Sequence, residues 1–300
     1  MNRLLLATII LLAAVGTGAS AAGAPCSSAL SAAIPARDPQ SPGGREFSSY
    51  LASLDDDERE AAIAHQLLAG NIPQFLRAPA PVALDPQPAA SRSTRVVVCV
   101  LPDYLAIGTD ADFFLVPMRL RTALSIAEKF HFLLPTRRMV DAIYAQAPIH
   151  LQPQPLPASD TMRSTAYYWH HSELIVAQRL SMSEPLGTLT AGDKKDLVLT
   201  NRLREQPARV AIYGWHRPDG RPIQPLSTFH GARYADYSHG VRLVSGTAFV
   251  DGQARSLLAL LQEPRLTGFF SDEGGLGDIP ELLETLQDSQ LARDVHRSAH

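Results

Sequence analysis

Apolar positions along this chain recur with two periods, and each period names its elements. A helical spacing runs over 54–69, with Ser53 or Asp55 as cap, acids 55–58 at its positive end and Gly70 as its stop. Leu120, Ala123, Leu124 and Ala127 share one stripe and predict a helix over 119–130. Thr136 caps another, which carries Met139, Val140, Ile143, Tyr144 and Ala147 on one face until Pro148 stops it. A further helix is expected over 164–180. The β-branched run 95–101 reads as a buried strand, and 113–116 as a second after the turn Gly108-Thr109-Asp110. Strands are expected over 196–201, 210–215, 221–226, 234–243 and 247–250, with Pro218-Asp219-Gly220 closing a hairpin. Asp251-Gly252 then turns into a helix over 254–262. A terminal amphipathic helix begins near Asp278 and presents Ile279, Leu282, Leu283 and Leu286. Helices first and strands later predict an α+β fold, a helical N-terminal half packed on a mainly antiparallel C-terminal sheet.

Two stretches lack this periodicity. Residues 22–45 are rich in Ala, Ser, Pro and Gly and read as a flexible leader. Residues 78–93, with prolines at 79, 81, 86 and 88, read as a linker or an extended crossing strand. The expected domains are therefore a signal peptide (1–21), a leader with one helix and a Pro-rich linker (22–93), and a main α+β domain (94–300). The signal peptide rests on Arg3, the apolar or small run 4–15, and Ala19-Ser20-Ala21, which predicts cleavage after Ala21. A run of about a dozen apolar residues is short for a bilayer span, and nothing later reaches eighteen. The expectation is a secreted or periplasmic protein without stable membrane insertion once the signal is cleaved.

Composition adds little to this picture. The formal net charge of −3 becomes −4 when Arg3 leaves with the signal, and such a balance gives no support for a nucleic-acid partner. The only two cysteines, Cys26 and Cys99, would meet an oxidising compartment after export. Pairing them would tether the N-terminal region to the strand at 95–101; Cys99 equally suits a buried core thiol.

Chemistry-bearing residues concentrate between Asp193 and Asp251, most densely from His230 to Gly240. His230, Asp236, Ser238 and His239 are the catalytic candidates; Trp215, His216 and Arg242 are the candidates for binding substrate. If 234–239 is extended, Asp236 and Ser238 share a face while His239 points to the other. Ser238 would then need His216 or His230 as its base, and the chain lacks the Gly-x-Ser-x-Gly elbow of nucleophilic serines. His230, Asp236, His239 and His216 are also of zinc-ligand type. Alternation again parts Asp236 from His239, so no metal is assigned. Local hydrogen bonding of exposed polar side chains would account for the same run. Gly192-Asp193-Lys194-Lys195-Asp196 reads as a charged turn entering a strand, with its lysines as the alternative seat for an anionic substrate group, and Tyr167 to His171 reads largely as core, with an aromatic platform for a sugar ring as the alternative. No Walker loop, dinucleotide fingerprint or Cys-x-x-Cys is present, so no cofactor is implied.

Ser238-His239-Gly240-Val241-Arg242-Leu243 resembles the Ser-His-Gly-Cys-x-Arg signature of L,D-transpeptidases, exported enzymes that cross-link peptidoglycan, with His230-Gly231 in the place of the family's upstream His-Gly. The family's cysteine is missing, as though deleted between Gly240 and Val241, and the gap from His230 to Ser238 is shorter than the family's. The resemblance implies a cell-wall protein without that covalent chemistry. Two functions follow. One is a His-dependent hydrolase of a cell-wall or other extracellular polymer, with Asp236 orienting a histidine and Arg242 binding an anion. The other is a non-catalytic envelope or glycan-binding protein that stacks its ligand on Trp215 and the tyrosines.

Overall fold

A computed structural model describes residues 26–86, 94–277 and 281–285 of the chain. The expected signal peptide and its cleavage point lie outside the described residues.

In chain order the N-terminal half supplies helices α1 (Gly44–Leu51) and α2 (Asp56–Leu68), then strands β1 (Ala80–Leu84), β2 (Val96–Val100), β3 (Ala106–Gly108) and β4 (Phe113–Leu115). Helix α3 (Leu120–Lys129), strand β5 (Phe132–Leu133), helix α4 (Arg137–Gln146) and strand β6 (Ile149–His150) complete it. The C-terminal half starts with α5 (Thr165–Leu180), β7 (Thr190–Ala191), β8 (Lys195–Leu197) and α6 (Arg202–Glu205). It continues through β9 (Ile212–His216), β10 (Pro222–Ser227), β11 (His239–Gly240), β12 (Val244–Val250) and β13 (Gln253–Ser256) to α7 (Leu257–Gln262) and α8 (Thr267–Phe270).

The helices form where caps and stripes demand them. Asp55 accepts from the amides of Asp57 and Glu58 while Glu58 reaches back to the Asp55 amide, a capping box that fixes the start of α2. Gly70, at φ +82°, ends it. Thr136 caps α4 through the Met139 amide, and Ser164 caps α5 through that of Tyr167. On α5 the buried positions Tyr168, His171, Ser172, Ile175 and Arg179 make one helical stripe facing the interior.

The fold is α+β with mainly antiparallel sheets. One sheet has the order β1-β2-β12-β13, with β5 also pairing β12. A second has the order β10-β9-β8-β11, in which only β8 and β11 run parallel, and two smaller sheets pair β3 with β4 antiparallel and β6 with β7 parallel. Helix α4 packs on both β1 and β9 and so links the two larger sheets. The expected split into a helical half and a sheet half takes a different form, because β2 lies between β1 and β12 and joins both halves of the chain in one sheet. The composition of β2 explains this: Val-Val-Val-Cys-Val is buried at every position, which only a strand covered on both faces sustains.

Residues 26–45, expected as a flexible leader, are fastened to the body. Cys26 and Cys99 form a disulfide, Ile34 is buried, and Arg37 donates to the Asn71 side chain and the Gly108 carbonyl. The chain at 80–84 is the extended strand β1, paired to β2 along its whole length; 87–93 lie outside the described residues. Asp251-Gly252 turns β12 into β13 before the helix at 257 begins, and of the terminal helix only 281–285 are described, with Leu282 buried.

Candidate functional site

The residues from 234 to 238 do not extend as a strand. Asp236 turns back on itself: its Oδ1 accepts from the Ser238 amide at 2.8 Å and the Ser238 hydroxyl at 2.6 Å, and the His239 amide donates to the Asp236 carbonyl at 3.0 Å. An aspartate that satisfies amides two residues on folds the chain into a turn. The expected alternation is therefore corrected. Asp236 and His239 come to the same side, with His239 Nε2 3.8 Å from Asp236 Oδ2. Ser238 is committed to Asp236 rather than to a histidine.

Around this turn the four catalytic candidates assemble. Tyr234 donates its hydroxyl to Asp236 Oδ2 at 3.0 Å, its ring meets that of His239 edge-on at 5.7 Å, and the His230 ring lies flat on it at 3.9 Å. Strand β11 runs parallel to β8 with His239 opposite Lys195, so these two side chains are neighbours on one face of the sheet. Lys195, half-buried, holds its ammonium 5.1 Å above the Trp215 ring. Behind it the buried Lys194 donates to the Tyr237 carbonyl at 2.7 Å and to His171 Nδ1 at 3.0 Å.

Trp215, a candidate for binding substrate, is buried at the end of β9. It is 5% exposed and sits at φ +58°, a left-handed conformation rare for a bulky residue, directly after Gly214 at φ +106°. Such strain costs on the order of 1–3 kcal/mol and persists only where surrounding structure imposes it. Here it turns the indole beneath Lys195, against His171 and Tyr237. His216 goes elsewhere: it stacks on Tyr144 at 4.5 Å and bonds Asp141 at 3.2 Å. Arg242 also stands apart from the turn. Fully buried, it donates to the carbonyls of Leu101 and Thr190 and lies on the Tyr104 ring, so it organises the core.

The electrostatics separate the groups by role. Burial, with Lys195 and His230 nearby, pulls His239 down to about 4 against the pull of Asp236, so its ring is neutral at pH 7. Burial would raise the Asp236 carboxyl, yet His239, the Ser238 hydrogen bonds and Lys195 together hold it at about 2. Burial and Lys194 bring His171 to about 2, and burial brings Lys194 to about 8. On the Arg242 side burial pushes Asp103 and Asp196 up to about 7, with the Asp193 charge adding to both.

Both nitrogens of His239 and the indole nitrogen of Trp215 are buried without a hydrogen-bond partner. Buried polar atoms without a partner are uncommon, and a catalytic role is one of the reasons for which they persist. Among the described residues no three His, Cys, Asp or Glu side chains converge on a point where a metal ion could sit. Lys194, Lys195 and His171, for which the turn and core readings are preferred from sequence, belong to the cluster. The Gly-Asp-Lys-Lys-Asp run and the buried stripe of α5 were their only signals.

Comparison with protein families, with curated proteins and with solved structures finds no match to this chain.

Proposed function

We propose that the protein is an exported hydrolase of a cell-wall or other extracellular polymer, acting by general acid–base catalysis at His239. The observation that carries this reading is a neutral, buried imidazole with both nitrogens unbonded, 3.8 Å from an ionised aspartate. With Nε2–H turned to Asp236, Nδ1 carries the lone pair that removes a proton from an attacking water. As the imidazolium forms, the Asp236 carboxylate stabilises it, and the same proton then passes to the leaving group. Ser238 and Tyr234 fix the carboxylate through their hydrogen bonds, which makes them positioning residues. His230, stacked on Tyr234 at the half-exposed rim, contacts the polymer.

Export is supported by the signal-like N-terminus and by the Cys26–Cys99 disulfide, a bond that persists in oxidising compartments. A cell-wall substrate is supported by the resemblance of residues 238–243 to the L,D-transpeptidase signature. Cysteine-based acyl transfer has no nucleophile in this chain, because both of its cysteines are spent in that disulfide. The binding-protein reading draws on Phe229, 78% exposed and edge-on to His230, a ring surface that could hold a glycan without cutting it.

Incubating the protein with purified sacculi and a panel of polysaccharides, and reading released fragments by mass spectrometry, tests the proposal. Fragments of defined mass are expected and name the bond cut. Binding to a polymer with no fragment released would overturn the hydrolase in favour of the binding protein.

A further inference from the structure

Hydrogen-bond donors outnumber acceptors around His239. Both oxygens of Asp236, the carboxylate of the turn, are already occupied: Oδ1 by the Ser238 amide and hydroxyl, Oδ2 by the Tyr234 hydroxyl. The Lys195 ammonium, by contrast, has no hydrogen bond and no ion pair within 4 Å among the described residues; it lies over the Trp215 ring and meets the Asp236 charge only at longer range. The indole N–H of that ring is buried without an acceptor. Half-buried lysines of this kind are normally matched by a carboxylate, since an ammonium loses hydration as it is covered. Asp236 already spends both of its oxygens on other donors, so a further acceptor-rich group with negative charge would complete the cluster.

The place for it is defined by the sheet. Lys195 and His239 are register partners on the parallel strands β8 and β11, so an anion held by Lys195 lies beside the His239 ring. The approach is cationic too: Arg209 donates to the Phe229 carbonyl at 2.7 Å, beside His230. Phe229 is the most exposed large apolar side chain described, at the entrance to the ring series Phe229, His230 and Tyr234. An aromatic face next to an anion seat fits a sugar ring that carries a carboxylate, the ring stacking and the charge anchoring.

We propose that the Lys195 ammonium, beside His239, seats a carboxylate of the substrate, and that the polymer recognised is an acidic glycan. The identification of this ligand as a substrate rests on the hydrolase reading; the seat itself does not, so it is tested by binding. The probes are oligogalacturonate and the same oligomer with its carboxylates methyl-esterified, titrated while Trp215 fluorescence and heat of binding are followed. The protein should bind the acid form at least tenfold more tightly than the ester. Lys195→Met, which keeps the stem over Trp215 and removes the charge, should erase that preference, and Lys195→Arg should restore part of it. Phe229→Ala should weaken both oligomers alike. Equal affinity for acid and ester, or an unchanged preference in a folded Lys195→Met protein, would overturn the seat. Tighter binding of oligoglutamate than of oligogalacturonate would overturn the glycan and assign an acidic peptide. Selective binding of the acid form without cleavage would keep the seat and remove the hydrolase; cleavage of neutral polymers alone would do the reverse.

Discussion

At the scale of single residues, Asp236 decides what its neighbours can do. By holding the Ser238 hydroxyl at 2.6 Å it takes that oxygen out of nucleophilic service, and by staying ionised it prepares a partner for protonated His239. Ser238→Ala should therefore lower kcat/KM by roughly tenfold, whereas His239→Gln should lower it by about 10²–10⁴, the usual worth of a general base. Steady-state kinetics on the released fragment compares the two, and equal losses would make Ser238 the nucleophile. The pH profile carries a second check. A base held at about 4 is fully deprotonated at pH 7, so kcat/KM should stay level as the pH falls and decline only near pH 4. A decline centred near 6.5, the ordinary histidine value, would contradict the burial described for His239.

At the scale of elements, the pairing of β8 with β11 builds the site, and Gly240 permits it. A Cβ at Gly240 would lie 2.6 Å from the Tyr104 ring and 2.8 Å from Lys194 Cβ. Gly240→Ala should thus destabilise the fold by about 1–3 kcal/mol in urea titration, as overpacking does, and weaken activity by parting β11 from β8. Stability equal to the parent's would show that the two strands give way easily there. The same pairing explains what could be read from the chain in advance. Helices α2 to α5 were legible because caps and stripes are local signals. His230, Asp236, Ser238 and His239 were legible as a set because one short segment holds them. Their geometry was not, since period-2 alternation was assumed where the Asp236 carboxylate imposes a turn. Lys195 and His171 join the turn through a parallel pairing and a helix stripe, long-range contacts that their own segments do not fix. Helix α1 and strand β1 were missed or left open because Gly- and Pro-rich stretches hide packing that only tertiary partners reveal.

At the scale of the whole molecule, two halves share one sheet, and a covalent bond reinforces the sharing. The Cys26–Cys99 disulfide spans 73 residues, worth about 4 kcal/mol in the chain-entropy account. Cys26→Ser should lower the Tm by on the order of 10 °C in a thermal melt, and no shift would mean that the N-terminal segment holds without it. The buried titratable groups oppose one another. His171 and His239 are held at about 2 and about 4, below the 6.5 of a free histidine. As the pH falls through 6.5 the unfolded chain gains protons that the folded one refuses, and stability drops by roughly 1.4 kcal/mol per pH unit for each. Asp103 and Asp196, raised to about 7 from 3.8, act in the other sense: the folded chain keeps their protons, and the stability this gives at low pH is lost as the pH rises from 3.8 to 7. Asp196→Asn removes one counterweight, so its stability should fall more steeply than the parent's between pH 6.5 and 4, measured by urea melts at several pH values. Parallel profiles would contradict this balance. The central claim, that His239 is the base of a hydrolase, is tested most directly by fragment release from the susceptible polymer by the parent and by a folded His239→Gln protein, side by side. Release by the parent with loss of nearly all of it in the variant is the predicted result; equal release by both would contradict it.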